Sequence, residues 1–200
     1  MRLLTKKKVL ILKSIFHVSA LLPLLFLFIA IQLNMIGGEP VEYIIHFFGI
    51  GALNLLIVTL LISPVSRYFK IGYLLRVRRL VGLYVFVYAS LHILGYVILD
   101  LAFSFDLFVK ELTQTPYLWF GAVGYTILLV LAVTSFHYTK RKLGPLWIKI
   151  HKSIYVLSII APIHFAWSVK SGLLEPNIYI SIFMFLLIFR CSFVLKYMSK

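Results

Sequence analysis

The stretch RRLVGLYVFVYASLHILGY, residues 78–96, sets two arginines at the head of an apolar and aromatic run that contains one histidine, His92. From Leu80 to Leu99 no residue carries a formal charge, and a run of about 20 such residues is what a helix needs to cross the hydrocarbon of a bilayer. A membrane strand would be about 10 residues long with polar alternation, and that period is absent. Lipid leaves a helix as the remaining way to satisfy the backbone.

Working outward, comparable runs fall at about 9–31, 43–63, 117–137, 150–169 and 177–195, so with 80–99 the chain predicts six transmembrane helices. Composition agrees. Hydrophobic residues make up 62% of the 200 and mean hydropathy is +1.02, against about 45–50% apolar in soluble domains. The expected fold is an all-α integral membrane protein, a six-transmembrane-helix bundle forming a single domain over 1–200. The basic start (Lys6, Lys7, Lys8) precedes a run too long for a signal h-region of about 7–15 residues, and reads as a retained anchor. The single cysteine, Cys191, excludes an intramolecular disulfide.

The charges orient the bundle. With a cytoplasmic N-terminus, every lysine and arginine except Lys110 and Lys170 falls on one side, among them Lys13, Arg67, Lys70, Arg76, Arg78, Arg79, Lys140, Arg141, Lys142, Lys149, Lys152 and Arg190. The other side takes those two and all six acids: Glu39, Glu42, Asp100, Asp106, Glu111 and Glu175. The positive-inside rule then puts both termini in the cytoplasm. The net charge of +14 is thereby a topology signal, and nucleic acid, which wants a basic face interleaved with exposed aromatics, is set aside as a partner. The lipid bilayer is the expected surrounding. No convincing internal repeat is visible. The outside loop DLAFSFDLFVKELTQTP (100–116) has apolar spacing compatible with a short helix on the membrane surface, and it is the external element large enough to dock a partner.

No acid lies inside the predicted spans, so relays built on buried carboxylates lack their residues. What the interior holds is histidine: His17, His46, His92, His137, His151 and His164. An imidazole in hydrocarbon must be hydrogen-bonded or bound to something, and neutral imidazole is the commonest metal ligand. His92 lies thirteen residues past Arg79 and His164 fourteen past Ile150, which at about 1.5 Å per residue puts each about 20 Å from the inner end of its helix. Two imidazoles at one level are what a planar macrocycle clamped from both faces requires. Ala89 and Gly95 flank His92, and GAVG (121–124) opens space where a porphyrin could lie. Lys170 is placed to meet a haem propionate. His151, thirteen residues before His164, would serve a second, inner centre, but in an ideal helix the two rings point about 140° apart. Pro162 is the expected site of any kink. His17, His46 and His137 read as hydrogen-bonded packing residues. The cluster Arg76, Arg78, Arg79 is by default a topology signal, with Arg78 and Arg79 as candidates for a flavin phosphate or quinone headgroup.

HVSALLPL (17–24), HFFGIGAL (46–53), LLISPVSRY (60–68), RRLVGLYVFVYASLH (78–92), TKRKLGPLWIKIHKSIYVL (139–157) and APIHFAWSVK (161–170) together resemble the MsrQ family, also named YedZ, within the ferric-reductase-like transmembrane superfamily. The resemblance spans essentially the whole chain. It implies a haem-binding subunit of a bacterial methionine sulfoxide reductase system, with one or two b-type haems and one FMN, and with His92, His151 and His164 as haem ligands. It further implies electrons passing across the inner membrane, from the quinone pool or a cytosolic flavin reductase, to a periplasmic molybdopterin subunit, MsrP, that reduces methionine sulfoxide in envelope proteins. His137 has no counterpart in the family pattern. On this reading the chain is an electron-transfer subunit and not the catalytic one, since the redox chemistry belongs to the cofactor. The rival reading is a small cofactor-free transporter or channel with pore-lining histidines, which lacks the embedded acids and paired broken helices expected of one.

Overall fold

The computed structural model describes residues 2–169, 172 and 174–198, with side chains over 6–169, 172 and 174–190. Its elements are helical throughout: α1 (Arg2–Gln32), α2 (Pro40–Tyr68), α3 (Arg78–Gly95), α4 (Phe105–Gln114), α5 (Tyr117–Val133), α6 (His137–Leu143), α7 (Leu146–His151), α8 (Ile154–Ser168) and α9 (Leu174–Met198). A 3-10 turn at Gly72–Arg76 leads into α3, and a wide π turn at Tyr96–Asp100 leaves it. The chain divides into two compact units, Met1–Phe105 and Asp106–Lys200.

In the first unit the packing is set by where side chains are missing. A Cβ on Gly51 of α2 would lie 2.4 Å from Cδ1 of Tyr88 on α3, so the glycine is what lets the Tyr88 ring lie against the α2 backbone. Tyr88 is buried, and its hydroxyl donates to the carbonyl of Ala20 on α1 at 2.7 Å. One side chain thus ties three helices, through the close approach and interhelical hydrogen bonding that lipid favours. Ala20, Leu27 and Ala30 form the buried stripe of α1. Nearer the Arg78 end, Ile62, Val77 and Val81 form a core with Leu12, Phe16, Leu55, Val58 and Leu74 packed on it. His17 is exposed and shares a 2.7 Å hydrogen bond with Tyr84. Helix α2 continues past SPVS to Tyr68 with Pro64 inside it, further than the sequence suggests. Its last turn is kept by Phe69 N–H donating to Val65 O at 3.0 Å and by the Ser66 hydroxyl donating to Ile71 O at 2.8 Å.

In the second unit α4 is the short amphipathic helix expected in 100–116. It meets α5 at a bend of 108°, where the Trp119 indole donates to Leu112 O at 3.0 Å. Helix α5 packs on α8, with Leu157 and Ile160 beside Gly124. Helix α8 packs on α9 through Phe165 set edge-on to Tyr179.

Four helices are long and apolar enough to cross a membrane: Lys6–Gln32, Pro40–Tyr68, Arg78–Asp100 and Leu146–Ser168. The bent pair Phe105–Gln114 and Tyr117–Val133 makes a fifth if counted as one span. The protein is an all-helical integral membrane protein of four to five candidate spans among its described residues. The run expected at 117–137 stops at Val133 because its end is capped by side chains. Thr139 donates to Val133 O at 2.9 Å, the Trp147 indole donates to Thr134 O at 2.9 Å, and Phe136 is extended. These bonds satisfy carbonyls that a helix end leaves without partners. Among the described residues, no buried side-chain nitrogen or oxygen lacks a hydrogen-bond partner, as a low-dielectric surrounding demands.

Candidate functional site

Three of the six histidines are half-buried: His92, His151 and His164. The other three, His17, His46 and His137, are exposed. His92 stands late in α3, and its Nδ1 lies 2.8 Å from the carbonyl oxygen of Ile45, near the start of α2. A carbonyl only accepts, so Nδ1 is the protonated nitrogen and Nε2 holds the lone pair. That fixed tautomer, with the second nitrogen tied to a backbone carbonyl, is the usual support of a metal-ligating imidazole.

The second unit repeats the arrangement. His164, late in α8, places Nδ1 2.9 Å from the carbonyl oxygen of Tyr117, the first residue of α5. In each case 47 residues separate imidazole and carbonyl. In each case a glycine four residues past the carbonyl, Gly49 or Gly121, lies under the ring. The sequence holds this correspondence, but nothing in it marks Ile45 or Tyr117 until the hydrogen bonds are known, because a backbone acceptor has no residue signature. GAVG was expected to open space for a porphyrin. The structure instead seats the His164 ring at Gly121 and sets Leu157 and Ile160 against Gly124.

His151 departs from the pattern. Its Nε2 lies 3.1 Å from the Thr134 hydroxyl oxygen. That oxygen is itself 2.6 Å from Val130 O, a separation that places the hydroxyl proton between the two oxygens. Thr134 must then accept from His151, so Nε2 carries the proton and Nδ1 the lone pair. The ring also stacks on Trp147 at 4.0 Å and 30°, and Lys140 Nζ stands 4.5 Å from the centre of the Trp147 ring. Two sequence expectations change here. The helix that carries His151 and His164 is interrupted at Lys152–Ser153, between α7 and α8, and Pro162 lies within α8. The ideal-helix phase of about 140° therefore does not apply to these two rings.

The arginine pair is divided. Arg78, half-buried at the start of α3, donates from Nη1 to the Ser63 hydroxyl at 3.0 Å, while Arg79 is exposed. Lys170 lies outside the described residues. Among the described residues no group of three or more His, Cys, Asp or Glu converges on one point. A haem brings its own equatorial donors and asks the protein for single axial imidazoles, which is the donor chemistry that His92 and His164 present.

The family described as ferric reductase like transmembrane component matches residues 48–162. Among curated proteins the chain is similar to the protein-methionine-sulfoxide reductase heme-binding subunit MsrQ of Salmonella paratyphi B, with 43% identity over 188 residues, 94% of each chain. The proteins of the same name from Salmonella heidelberg and Salmonella agona match with the same identity and coverage. No solved structure matches. With the family match running across more than half of the chain and the relatives across nearly all of it, the chain belongs to the MsrQ family of ferric-reductase-like transmembrane proteins.

Proposed function

We propose that the chain is a b-type haem subunit that carries electrons across the bacterial inner membrane, crossing it six times with both termini in the cytoplasm. The observation that carries this reading is the tautomer imposed on His92 and His164 by the Ile45 and Tyr117 carbonyls, which leaves Nε2 of each as the coordinating nitrogen. Haem, when bound, supplies a one-electron iron couple whose potential follows its axial ligands and their hydrogen bonds. The chain's own part is to hold those imidazoles in one orientation and to keep the surroundings apolar. The carbonyl bonds raise the basicity of the ligating nitrogens as well as fixing the rings.

His151 belongs to the same proposal as a further ligand, through Nδ1 while Thr134 holds Nε2. Lys170 is the cation offered to a propionate. The basic side, with Arg79 exposed at the head of α3, receives electrons from a quinone or a cytosolic flavin reductase. The opposite side, with α4, docks an MsrP-type periplasmic molybdopterin subunit, for repair of methionine sulfoxide in envelope proteins. One FMN per chain is part of the reading, with no residue assigned to it. Positive-inside charge asymmetry supports the orientation, and the names and identity of the relatives support the cofactor and partner.

The test is the visible spectrum of the purified protein in detergent, oxidised and then reduced with dithionite. A Soret band that shifts and an α band that sharpens on reduction are expected. A colourless preparation from haem-replete cells would overturn the reading and favour a cofactor-free transporter.

A further inference from the structure

Each of the two similarly placed imidazoles is held in two ways, and the second has no hydrogen bond in it. A Cβ built on Gly121 would lie 2.8 Å from Cε1 of His164, 3.2 Å from Nδ1 and 3.4 Å from Nε2. A Cβ on Gly49 would lie 3.2 Å from Nδ1 of His92 and 3.3 Å from Cε1. Both rings therefore occupy space that any other residue would fill with its own side chain. The carbonyl that accepts from Nδ1 belongs to the residue one helical turn before the glycine, on the same face of the same helix. Carbonyl and glycine together fix where the ring sits and which way its plane faces.

Gly82 and Gly124 show what an ordinary helical glycine looks like in the same bundle. A Cβ on Gly82 would meet Thr59 at 3.9 Å, and one on Gly124 would meet Leu157 at 3.5 Å and Ile160 at 3.7 Å. These are normal packing distances. At either position alanine fits and gains helix propensity over glycine.

We infer that Gly49 and Gly121 are positioning residues for the haem ligands His92 and His164, acting by the absence of a side chain to set the position and plane of each imidazole. The inference rests on the haem reading of the preceding section. At Gly121 the conflict is with a ring whose Nδ1–H is already committed to Tyr117 O, so relief requires breaking that bond or turning the ring. At Gly49 a shift of a few tenths of an ångström suffices, and His92 keeps its bond to Ile45 O in a slightly different plane.

The experiment compares Gly121→Ala, Gly49→Ala, Gly124→Ala and Gly82→Ala in the full chain, purified in detergent and checked for a single symmetric gel-filtration peak. Haem per protein and the low-spin ferric EPR signal, which reports the orientation of axial imidazole planes, are the readouts. Gly121→Ala should lower haem retention by about tenfold or more, in the range that loss of an outer-shell support costs a bound metal. Gly49→Ala should keep haem and shift the largest g value. Gly124→Ala and Gly82→Ala should match the wild type in both. Should Gly121→Ala fail to give a folded protein, Gly49→Ala decides alone: an unshifted signal there overturns the inference. Equal effects at all four positions overturn it too, by making the response one of helix packing. A wild type without haem overturns the haem reading itself, whereas a haem-loaded wild type with unaltered Gly49 and Gly121 variants overturns the positioning role only.

Discussion

The imidazoles of His92 and His164 differ from that of His151 in what holds them. The first two give Nδ1–H to main-chain carbonyls at 2.8 and 2.9 Å; the third gives Nε2–H to a side-chain hydroxyl at 3.1 Å and lies against an indole. A backbone acceptor survives any substitution of the residue that bears it, so the tautomer of His92 and His164 is built into the packing of α2 on α3 and of α5 on α8. The His151 ring instead meets the hydroxyl of Thr134, which also binds back into its own helix. Two imidazoles therefore hold their proton on Nδ1, and one holds it on Nε2.

Removing the rings is the most severe way to break that comparison. His92→Ala and His164→Ala should each lower haem per protein by about 100-fold or more, since losing a supporting partner alone costs about 10–100-fold. His151→Ala should retain a low-spin haem spectrum, and His137→Ala, at an exposed position in α6, should leave the spectrum unchanged. Quantifying extracted haem against protein checks all four. If His151→Ala empties the protein as completely as the other two, the distinction between the imidazoles has no functional content.

What is legible in the sequence follows the same division. Long apolar runs identified the spans of α1, α2 and α3 and the one made by α7 and α8, because hydropathy needs no partner to be read. Helical apolar spacing in 100–116 likewise announced α4. The end of α5 was hidden: 117–137 is apolar nearly throughout, and what stops the helix at Val133 is a hydroxyl and an indole from residues still to come, Thr139 and Trp147. The site divides similarly. Depth along a helix singled out His92 and His164, yet sequence could not say that their partners are the carbonyls of Ile45 and Tyr117. Nor could it say that GAVG makes room for an imidazole. Arg78 and Arg79 are alike as letters, and only the Ser63 hydroxyl of α2 separates the half-buried one from the exposed one.

A gentler probe addresses His151 alone. Thr134→Val keeps the shape and removes the acceptor, leaving Nε2–H without its Thr134 partner and exposing the ring to exchange of its proton to Nδ1. A stability loss of about 1–3 kcal/mol is expected, along with a change in the ¹⁵N shifts of His151 and no change in those of His92 or His164. Unaltered His151 shifts would show that the Thr134 hydroxyl does not fix the tautomer.

The smallest effect tests whether the His92 helix is held by shape or by polar bonds. Tyr88 sits one turn before His92 on α3, with its ring against Gly51 and its hydroxyl on Ala20 O. Tyr88→Phe deletes the hydroxyl and leaves the ring in its notch. Interhelical hydrogen bonds in membranes average about 0.6 kcal/mol, so unfolding in graded detergent should move by about that amount, with haem content and EPR signal as in the wild type. A cost several times larger, or a changed EPR signal, would mean that α3 takes its position from the bond to α1. Retention of both would place the control of His92 in the glycine notches of α2, where one ring of α3 lies against Gly51 and the next against Gly49.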